Sequence, residues 1–335
     1  MRNRVLVGLI GAAVASAFVL VEAQSTRKPR LNPMIELLEQ KKPVFGLYAP
    51  SNRRPGGRGA RGGQAPSQKT PLELAREAVA FKQTDFIFDG SMEGGVDRGL
   101  PAYTEFVKAM QQAGALRQAP FLRLTHPLVV KMQEIGSDTD KAVDAISKQL
   151  NLGVSGIMFV KAESADEVKR GIAAMRFKSK DGTRPDTVGS APAYWGMSEA
   201  EYKARADVWP LNPNGELVNW TIIESKEGLA RVREIAAVPG IGVLWPGAGT
   251  LRGVFSTTDA NGQRQTDMAA WEKAIQAVLS ACKEFKIACG YPASPDDIEM
   301  RMKQGFSVFV MNWGDAGFKA IEIGRRLANR SETSQ

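Results

Sequence analysis

Charged side chains stand at the ends of several apolar segments of this 335-residue chain. Asp89 ends DFIFD, Arg123 lies near the end of PFLRL, and Glu224 ends VNWTIIE. A charge at the end of a buried strand costs free energy unless it is paired or bound to a ligand. Arginine suits a planar carboxylate or oxyanion, and a glutamate can hold a metal ion. Arg123 and Glu224 therefore indicate a site for a small carboxylate, with Glu224 as a metal ligand, or an ion pair that closes the end of the fold.

His126 is the only histidine in the chain and lies three residues beyond Arg123. Histidine titrates close to physiological pH, which suits proton transfer. If the PFLRL strand ends at Leu124, His126 lies in the loop that follows it. The position predicts a catalytic His126; the alternative is a histidine that is structural or merely exposed.

The segment WPGAGTLRG (245–253) is rich in glycine. Gly247, Ala248 and Gly249 could present consecutive backbone N–H groups to a carboxylate or phosphate; the alternative is a tight turn. A dinucleotide fingerprint needs a helix at the glycines and an acid about 20 residues on, whereas the residues after Gly253 read as a loop. We expect Trp245, together with Trp313, to form walls of the same substrate site.

The elements that would position these residues alternate between strand and helix. Strands this apolar, each followed by a helical pattern, are typical of a parallel sheet covered on both faces. Eight of them predict an α/β fold, a closed (β/α)8 TIM barrel whose site lies where the strands end; an open doubly wound sheet is the alternative. The predicted strands are 44–49, 85–89, 120–124, 156–160, 218–224, 241–246, 287–291 and 307–312.

The net charge of +8 is concentrated in one insert. The Gly/Arg-rich segment 51–70 carries five basic residues and no acid. Such a segment could contact polyanions through their phosphates, or it could be a solvated, disordered insert. We expect no nucleic-acid partner, because the chain is predicted to be exported.

The N-terminus has the pattern of a secretory signal: Arg2 and Arg4, an apolar stretch 5–21, and small residues before a cleavage point after Ala23. We therefore predict a signal peptide over 1–23, a single barrel domain over 24–335, and a periplasmic or secreted protein that is free of the membrane when mature. An uncleaved membrane anchor is the alternative.

Two cysteines, Cys282 and Cys289, are too few for a zinc cluster. An exported chain could oxidise them. Because Cys282 falls near a helix end and Cys289 in the next strand, we predict two buried free thiols rather than a disulfide.

Longer segments resemble the HpcH/HpaI aldolase and citrate lyase family. GIMFVKAESADEVKRGIAAMRF (156–177) is similar to the stretch after the fourth strand of that family, and TIIESKEGLARVREIAAVPGIGVLWPGAG (221–249) is similar to its most typical segment. The resemblance runs from about residue 34 to 330. It implies a phosphoenolpyruvate/pyruvate-type barrel, a homo-oligomer (trimer or hexamer), and reversible aldol cleavage that releases an oxo acid. It also implies a Mg²⁺ or Mn²⁺ ion that stabilises the enolate.

Some functional positions of the family are kept. The resemblance implies that Arg123 is the arginine that steadies the enolate and that Glu224 is a metal ligand. It implies that Asp89 is the aspartate before the catalytic base, and that Ala248, beside Gly249, offers its amide to the substrate carboxylate.

Three other family positions are replaced. Gly249 stands where the second metal aspartate belongs, Met92 where the histidine base belongs, and Asn151 where the partner aspartate of that base belongs. We expect either an aldolase-like carbon–carbon lyase with altered catalytic residues, with His126 or Glu93 as a substitute base, or a non-catalytic barrel that binds a small carboxylate. With one metal carboxylate fewer, we expect the affinity for the divalent ion, Mg²⁺ or Mn²⁺, to drop.

Overall fold

The computed structural model describes residues 29–52, 68–136 and 138–330. Eight parallel strands form its centre, and each is short and buried along most of its length. The strands are β1 (Val44–Tyr48), β2 (Phe86–Asp89), β3 (Leu128–Lys131), β4 (Gly156–Phe159), β5 (Leu217–Ile223), β6 (Ile241–Pro246), β7 (Ala288–Pro292) and β8 (Val308–Met311). The predicted signal peptide and most of the Gly/Arg-rich insert lie outside the described residues.

The strands close into a ring. β1 pairs with both β2 and β8, so that Leu47 lies opposite Ile87 on one side and Met311 on the other. β4 pairs with β5 across the long connection between them. A sheet with no free edge is a barrel, so the predicted (β/α)8 barrel is confirmed and the open doubly wound alternative is wrong.

Helices cover the outside of the barrel and alternate with its strands. Their first turns are capped by Ser, Thr, Asp or Asn in most cases, which supplies acceptors for N–H groups that have no intrahelical partner. Thr70 and Glu73, for example, form a reciprocal capping box. The helices are α1 (Pro33–Glu39), α2 (Pro71–Ala80), α3 (Val96–Gln112), α4 (Thr139–Leu150), α5 (Ala165–Met175), α6 (Ala191–Tyr194), α7 (Glu199–Arg205), α8 (Lys226–Ala230), α9 (Val232–Ala236), α10 (Ala248–Val254), α11 (Met268–Phe285), α12 (Ile298–Gln304) and α13 (Asp315–Leu327).

Short pieces of irregular or antiparallel structure connect these elements. A 3₁₀ helix (Ser91–Gly94) follows β2, and another (Lys178–Lys180) follows α5. Two small hairpins lie outside the barrel, and one two-residue strand pairs in parallel with the first residues of β5. These strands are Leu116–Arg117 with Arg123–Leu124, Ser256–Thr258 with Arg264–Thr266, and Val208–Trp209.

The inside of the barrel is filled by aromatic rings. Trp220 stacks on Trp245 with 5.6 Å between ring centroids and meets the edge of Phe86. Glycines make room for these rings, because a Cβ at Gly290 would come within 2.0 Å of Trp245 and one at Gly46 within 2.1 Å of Phe86. The interior is therefore a packed core rather than a pore, and a ligand can enter only at the ends.

The prediction of strand three is wrong. Residues 120–124 are not part of the barrel; only Arg123 and Leu124 form a strand there, antiparallel to Leu116–Arg117. The third barrel strand is Leu128–Lys131, which pairs with β2 and β4. A buried parallel strand needs an apolar run. Leu128, Val129 and Val130 are fully buried, whereas the residues at 121–123 are half-exposed.

The prediction of two free thiols is also wrong, because Cys282 and Cys289 form a disulfide. α11 ends at Phe285, and Lys286 in the left-handed conformation (φ 57°) turns the chain directly into β7. This turn brings the two Cα atoms to 5.6 Å, within disulfide reach. Within the described ranges, no helix combines the length and apolarity that a membrane span needs.

Candidate active site

A cleft of about 220 Å³ opens at the C-terminal ends of the barrel strands, the end that we call the mouth. Its floor is apolar and includes Phe88, Ile222 and Trp245. Its rim is polar, and its two charged side chains among the described residues are Lys131 and Glu224. The other residues around it are Tyr48, Met158, Gly247, Ala248, Gly249, Thr250, Pro292 and Val310.

Glu224 follows the last residue of β5 and is only 7% exposed. Its Oε1 accepts the backbone N–H of Lys161 at 3.0 Å. Gly247 packs against the side of Glu224 that carries Oε2. A Cβ at position 247 would come 2.4 Å from the Glu224 Cβ and 2.9 Å from Oε2. The carboxylate is therefore held at one oxygen by the backbone, and a glycine is required beside the other.

Lys131 is the last residue of β3. Val129, two residues earlier, belongs to the barrel interior, and side chains alternate along a strand, so Lys131 also points inward. Its side chain is 15% exposed, and Nζ lies 2.7 Å from Glu93 Oε1. Sequence reasoning missed this residue, although the run LVVK ends in a charge in the same way as the other strands.

Tyr48 ends β1 and lines the cleft beside Lys131. Its ring meets Phe88 edge-on, with 5.0 Å between centroids. Burial raises the pKa of its hydroxyl, and the negative charges of Glu93 and Asp89 raise that pKa further. Tyr48 therefore remains an O–H donor at neutral pH. The alternation of inward residues 44, 46 and 48 along β1 was the signal that could have identified it.

The turn after β6 was predicted to present amides, and the cleft does include Gly247, Ala248 and Gly249. α10 begins at Ala248, so the first N–H groups of this turn have no intrahelical acceptor. The Ala248 carbonyl accepts Trp271 Nε1–H at 2.8 Å, which fixes the peptide from the other side. The Gly247 N–H already donates to the Ile223 carbonyl at 2.8 Å, so the amides of Ala248 and Gly249 are the ones that can receive an oxygen of an anionic ligand.

Of the two tryptophans predicted to form walls of the substrate site, one lines the cleft and the other does not. Trp245 lines the cleft and is stacked on Trp220 inside the barrel. Trp313 is not among the residues around the cleft; it packs edge-on against Phe318 at 5.2 Å and near Phe81 at 6.2 Å. The prediction that Trp313 forms a wall of this cleft is therefore wrong.

Asp89 also lies away from the cleft. It ends β2, where Phe86 and Phe88 belong to the barrel interior, so the intervening side chains point outward. One carboxylate oxygen of Asp89 accepts both the backbone N–H and the hydroxyl of Ser91. It organises the turn that carries Glu93 rather than facing the ligand.

Arg123 and His126 lie at the opposite, N-terminal end of the barrel, so the prediction that they face the mouth is wrong. The error follows from the shift of strand three, because both residues precede β3 instead of ending it. Arg123 Nη1 lies 2.5 Å from Glu36 Oε2 on α1. Beside this pair is a cavity of about 540 Å³, whose lining also includes Asp85 and Arg330.

His126 is fully buried and makes two hydrogen bonds. Nε2 is 3.2 Å from the Phe81 carbonyl, which can only accept, so Nε2 carries the proton. Nδ1 then accepts from the Thr125 hydroxyl at 2.9 Å. Burial lowers the His126 pKa from 6.5 to about 4. The ring is therefore a neutral structural element.

The three residues that the resemblance sets against functional positions of the family, Met92, Asn151 and Gly249, have different surroundings in the structure. Met92 is fully buried. Asn151 Oδ1 accepts a hydrogen bond from Arg184 Nη2–H at 2.8 Å. A side chain at Gly249 would meet nothing within 4 Å, so the glycine is not required by packing.

The donor set of the cleft does not fit a magnesium or manganese ion. Such hard cations need about six oxygen ligands, of which the protein commonly supplies one or two carboxylates while waters and the substrate supply the rest. Glu224 is the sole carboxylate lining the cleft among the described residues, and one of its oxygens already accepts a backbone N–H. The Lys131 ammonium group also lines this cleft and would repel a cation. No group of three His, Cys, Asp or Glu side chains suited to a metal occurs elsewhere in the described ranges.

Comparison with known proteins agrees with the fold. A sequence profile of the HpcH/HpaI aldolase/citrate lyase family matches residues 102–318. Hydroxypyruvate/pyruvate aldolase of Paraburkholderia phytofirmans is 30% identical over 148 residues, which are 43% of this chain and 52% of that protein. The match thus spans about half the length of this curated relative.

Solved structures with similar folds include an HpcH/HpaI aldolase/citrate lyase family protein from Burkholderia cenocepacia, with a TM-score of 0.61, 19% identity, and 89% and 98% of the two chains covered. An HpcH/HpaI aldolase from Desulfitobacterium hafniense gives a TM-score of 0.58 at 14% identity, with 88% and 95% covered. The profile match spans more than half of the chain, and on that ground this protein belongs to the HpcH/HpaI aldolase/citrate lyase family.

Proposed function

We propose that this protein is an aldolase-type carbon–carbon lyase that cleaves a small hydroxy-oxo acid in the mouth cleft. The observation that carries the proposal is that Lys131 and Glu224, from the ends of β3 and β5, line one cleft with an otherwise apolar floor. Support also comes from membership of an aldolase and lyase family. The volume of about 220 Å³ is below the range of drug-sized pockets, which favours a small acid.

The cleft offers a group for each charge that the reaction develops. The amides of Ala248 and Gly249 bind the substrate carboxylate. Glu224 Oε2 accepts the proton of the substrate hydroxyl as the carbon–carbon bond breaks. The electron pair of that bond moves into the oxo group, and Lys131 and the Tyr48 hydroxyl stabilise the resulting negative charge. Charges and dipoles fixed where charge develops are the usual largest source of rate enhancement.

The test is release of pyruvate or a related oxo acid from a panel of 4-hydroxy-2-oxo acids by the purified mature chain. We expect Glu224→Gln and Lys131→Met to reduce cleavage by at least about 100-fold, as for loss of a general base or of a fixed charge at the reacting atoms. Lys169→Met is the matched control, because Lys169 lies on the exposed face of α5 and pairs only with Asp166 there. Full activity in both cleft variants would refute the proposal.

The burial of Met92 and the presence of Gly249 favour a second candidate, a barrel that binds a small carboxylate without turnover. The same cleft residues would hold the ligand. A rise in melting temperature with pyruvate or oxalate, together with no cleavage of any acid in the panel, would select this candidate over the lyase.

We also propose that the chain is exported, with cleavage after Ala23, and that the mature protein is a homo-oligomer. The arginine-led apolar N-terminus supports export, as does the Cys282–Cys289 disulfide, since disulfides persist in oxidising compartments. N-terminal sequencing of the protein from a periplasmic or culture-medium fraction tests the first point. The mass of the particle in solution tests the second.

A further inference from the structure

The lyase chemistry needs a group that takes up electrons when the carbon–carbon bond breaks. A divalent ion would serve, but the oxygen donors of the cleft do not fit one, as described above. Lys131 is the cation that the barrel directs into the cleft instead. As an ammonium ion Lys131 would only stabilise charge on the oxo oxygen. As an amine it can instead form a covalent imine with the oxo carbon, and the imine then takes up the electrons in place of that oxygen.

The position of Lys131 suits this reaction. Its side chain is attached to the last residue of a buried strand, so the amine is held by the rigid part of the fold. It is 15% exposed, which leaves it accessible from the cleft while shielded from bulk water. The nearby Lys161 differs, because its side chain is half-exposed and its Nζ lies 3.3 Å from Glu134 Oε2.

Glu93 supplies the proton transfers that imine formation requires. Its carboxylate lies 2.7 Å from Lys131 Nζ and is about half-exposed, so it can exchange protons with water. The Tyr48 hydroxyl lines the same cleft as a donor. A carboxylate within hydrogen-bond reach of Lys131 can accept the proton that the amine must lose before it attacks.

We propose that Lys131 forms an imine with the oxo carbon of the substrate, with Glu93 as the group that carries the protons. Glu93 takes one proton from the Lys131 ammonium group. The free amine attacks the carbonyl carbon, forming a carbon–nitrogen bond while the carbonyl π bond breaks. Glu93 returns its proton to the oxygen and then carries a second proton from the nitrogen to the same oxygen, which leaves as water while the carbon–nitrogen double bond forms. The products are a protonated imine and one water, so atoms and charge balance, and no oxidant or reductant is consumed.

The inference rests on the proposed function and is tested separately from it. The wild-type protein is incubated with pyruvate and sodium borohydride, in the presence of a chelator, and digested for mass spectrometry. We expect an irreversible reduced pyruvate adduct on Lys131. Lys131→Arg should abolish the adduct and Lys169→Arg should leave it. Glu93→Gln should slow its formation by about 100-fold, as for loss of a general base.

The outcomes separate the two proposals. Pyruvate binding by calorimetry without any adduct would overturn the imine and leave the lyase proposal standing. An adduct confined to another lysine would also overturn the imine at Lys131. Absence of both binding and adduct would overturn the proposed function and the imine together. The mapping uses the wild-type chain, so the result does not depend on whether a variant folds.

Discussion

Acidification should destabilise this protein through His126. The loss of stability should begin at a pH well above the one at which His126 itself gains a proton in the folded protein. His126 is fully buried, and its pKa falls from 6.5 to about 4 because burial disfavours the charged ring. Lys82 lowers it further, and the hydrogen bond to the Phe81 carbonyl opposes the shift. The unfolded chain therefore binds a proton at a pH where the folded chain does not.

The difference between the folded and unfolded pKa values of His126 fixes how the free energy of unfolding changes with pH. Because the folded pKa is depressed, the stabilisation is complete above pH 6.5 and is lost as the pH falls towards 4. A shift from 6.5 to about 4 corresponds to about 3 kcal/mol, of which about 2 kcal/mol is already lost at pH 5. For a domain whose total stability is about 5–15 kcal/mol, this is a large fraction.

The assay is chemical unfolding of the wild type and of His126→Gln between pH 7 and pH 4. Glutamine can still donate to the Phe81 carbonyl but does not titrate. Both proteins lose stability through their shared carboxylates, so the difference between the two curves reports His126. We expect wild-type stability to fall about 3 kcal/mol further than that of the variant. Parallel curves, or loss of lyase activity in a variant that unfolds normally, would refute a buried structural His126.

Three other changes test the metal-binding capacity of the cleft, the packing of the barrel interior and the contribution of the disulfide. Gly249→Asp should create weak Mn²⁺ binding together with Glu224, because the added side chain meets nothing within 4 Å and supplies a second carboxylate. Calorimetry measures this binding, and an unchanged lack of binding would contradict the prediction. Gly290→Ala should cost about 1–3 kcal/mol in denaturant unfolding, since its Cβ would overlap the Trp245 ring, whereas Gly249→Ala should be nearly neutral. Reduction of the disulfide, which joins residues seven apart, should cost about 2 kcal/mol if it acts by loop closure, and an unchanged unfolding midpoint would refute that.

Much of the fold could be predicted because parallel barrel strands are apolar and bounded by turns. Segments such as 241–246 and 156–160 have no competing interpretation, and the structure places strands there within a residue. At 120–131 two apolar segments lie in succession, and only one can enter the ring. The pairing of Leu128 with Ile87 decides between them, and a long-range pairing of this kind leaves no local pattern.

Part of the site could be predicted from correctly bounded strands, but Asp89 shows that a correct strand end is not enough, because its side chain points away from the cleft. Glu224, Trp245 and the turn 247–249 surround the cleft because β5 and β6 were correctly bounded. Arg123 and His126 were misplaced together with strand three, and Lys131 was missed for the same reason. The disulfide was missed because it depends on the left-handed turn at Lys286, a conformation that lysine rarely adopts.

The measurement that tests the central claim most directly is calorimetric titration of the mature chain with pyruvate, in a chelator and then with excess Mn²⁺. We predict equal binding in both conditions and loss of binding in Lys131→Met, because Lys131 rather than a metal carries the positive charge of the cleft. Binding that requires Mn²⁺, or that survives Lys131→Met unchanged, would contradict it.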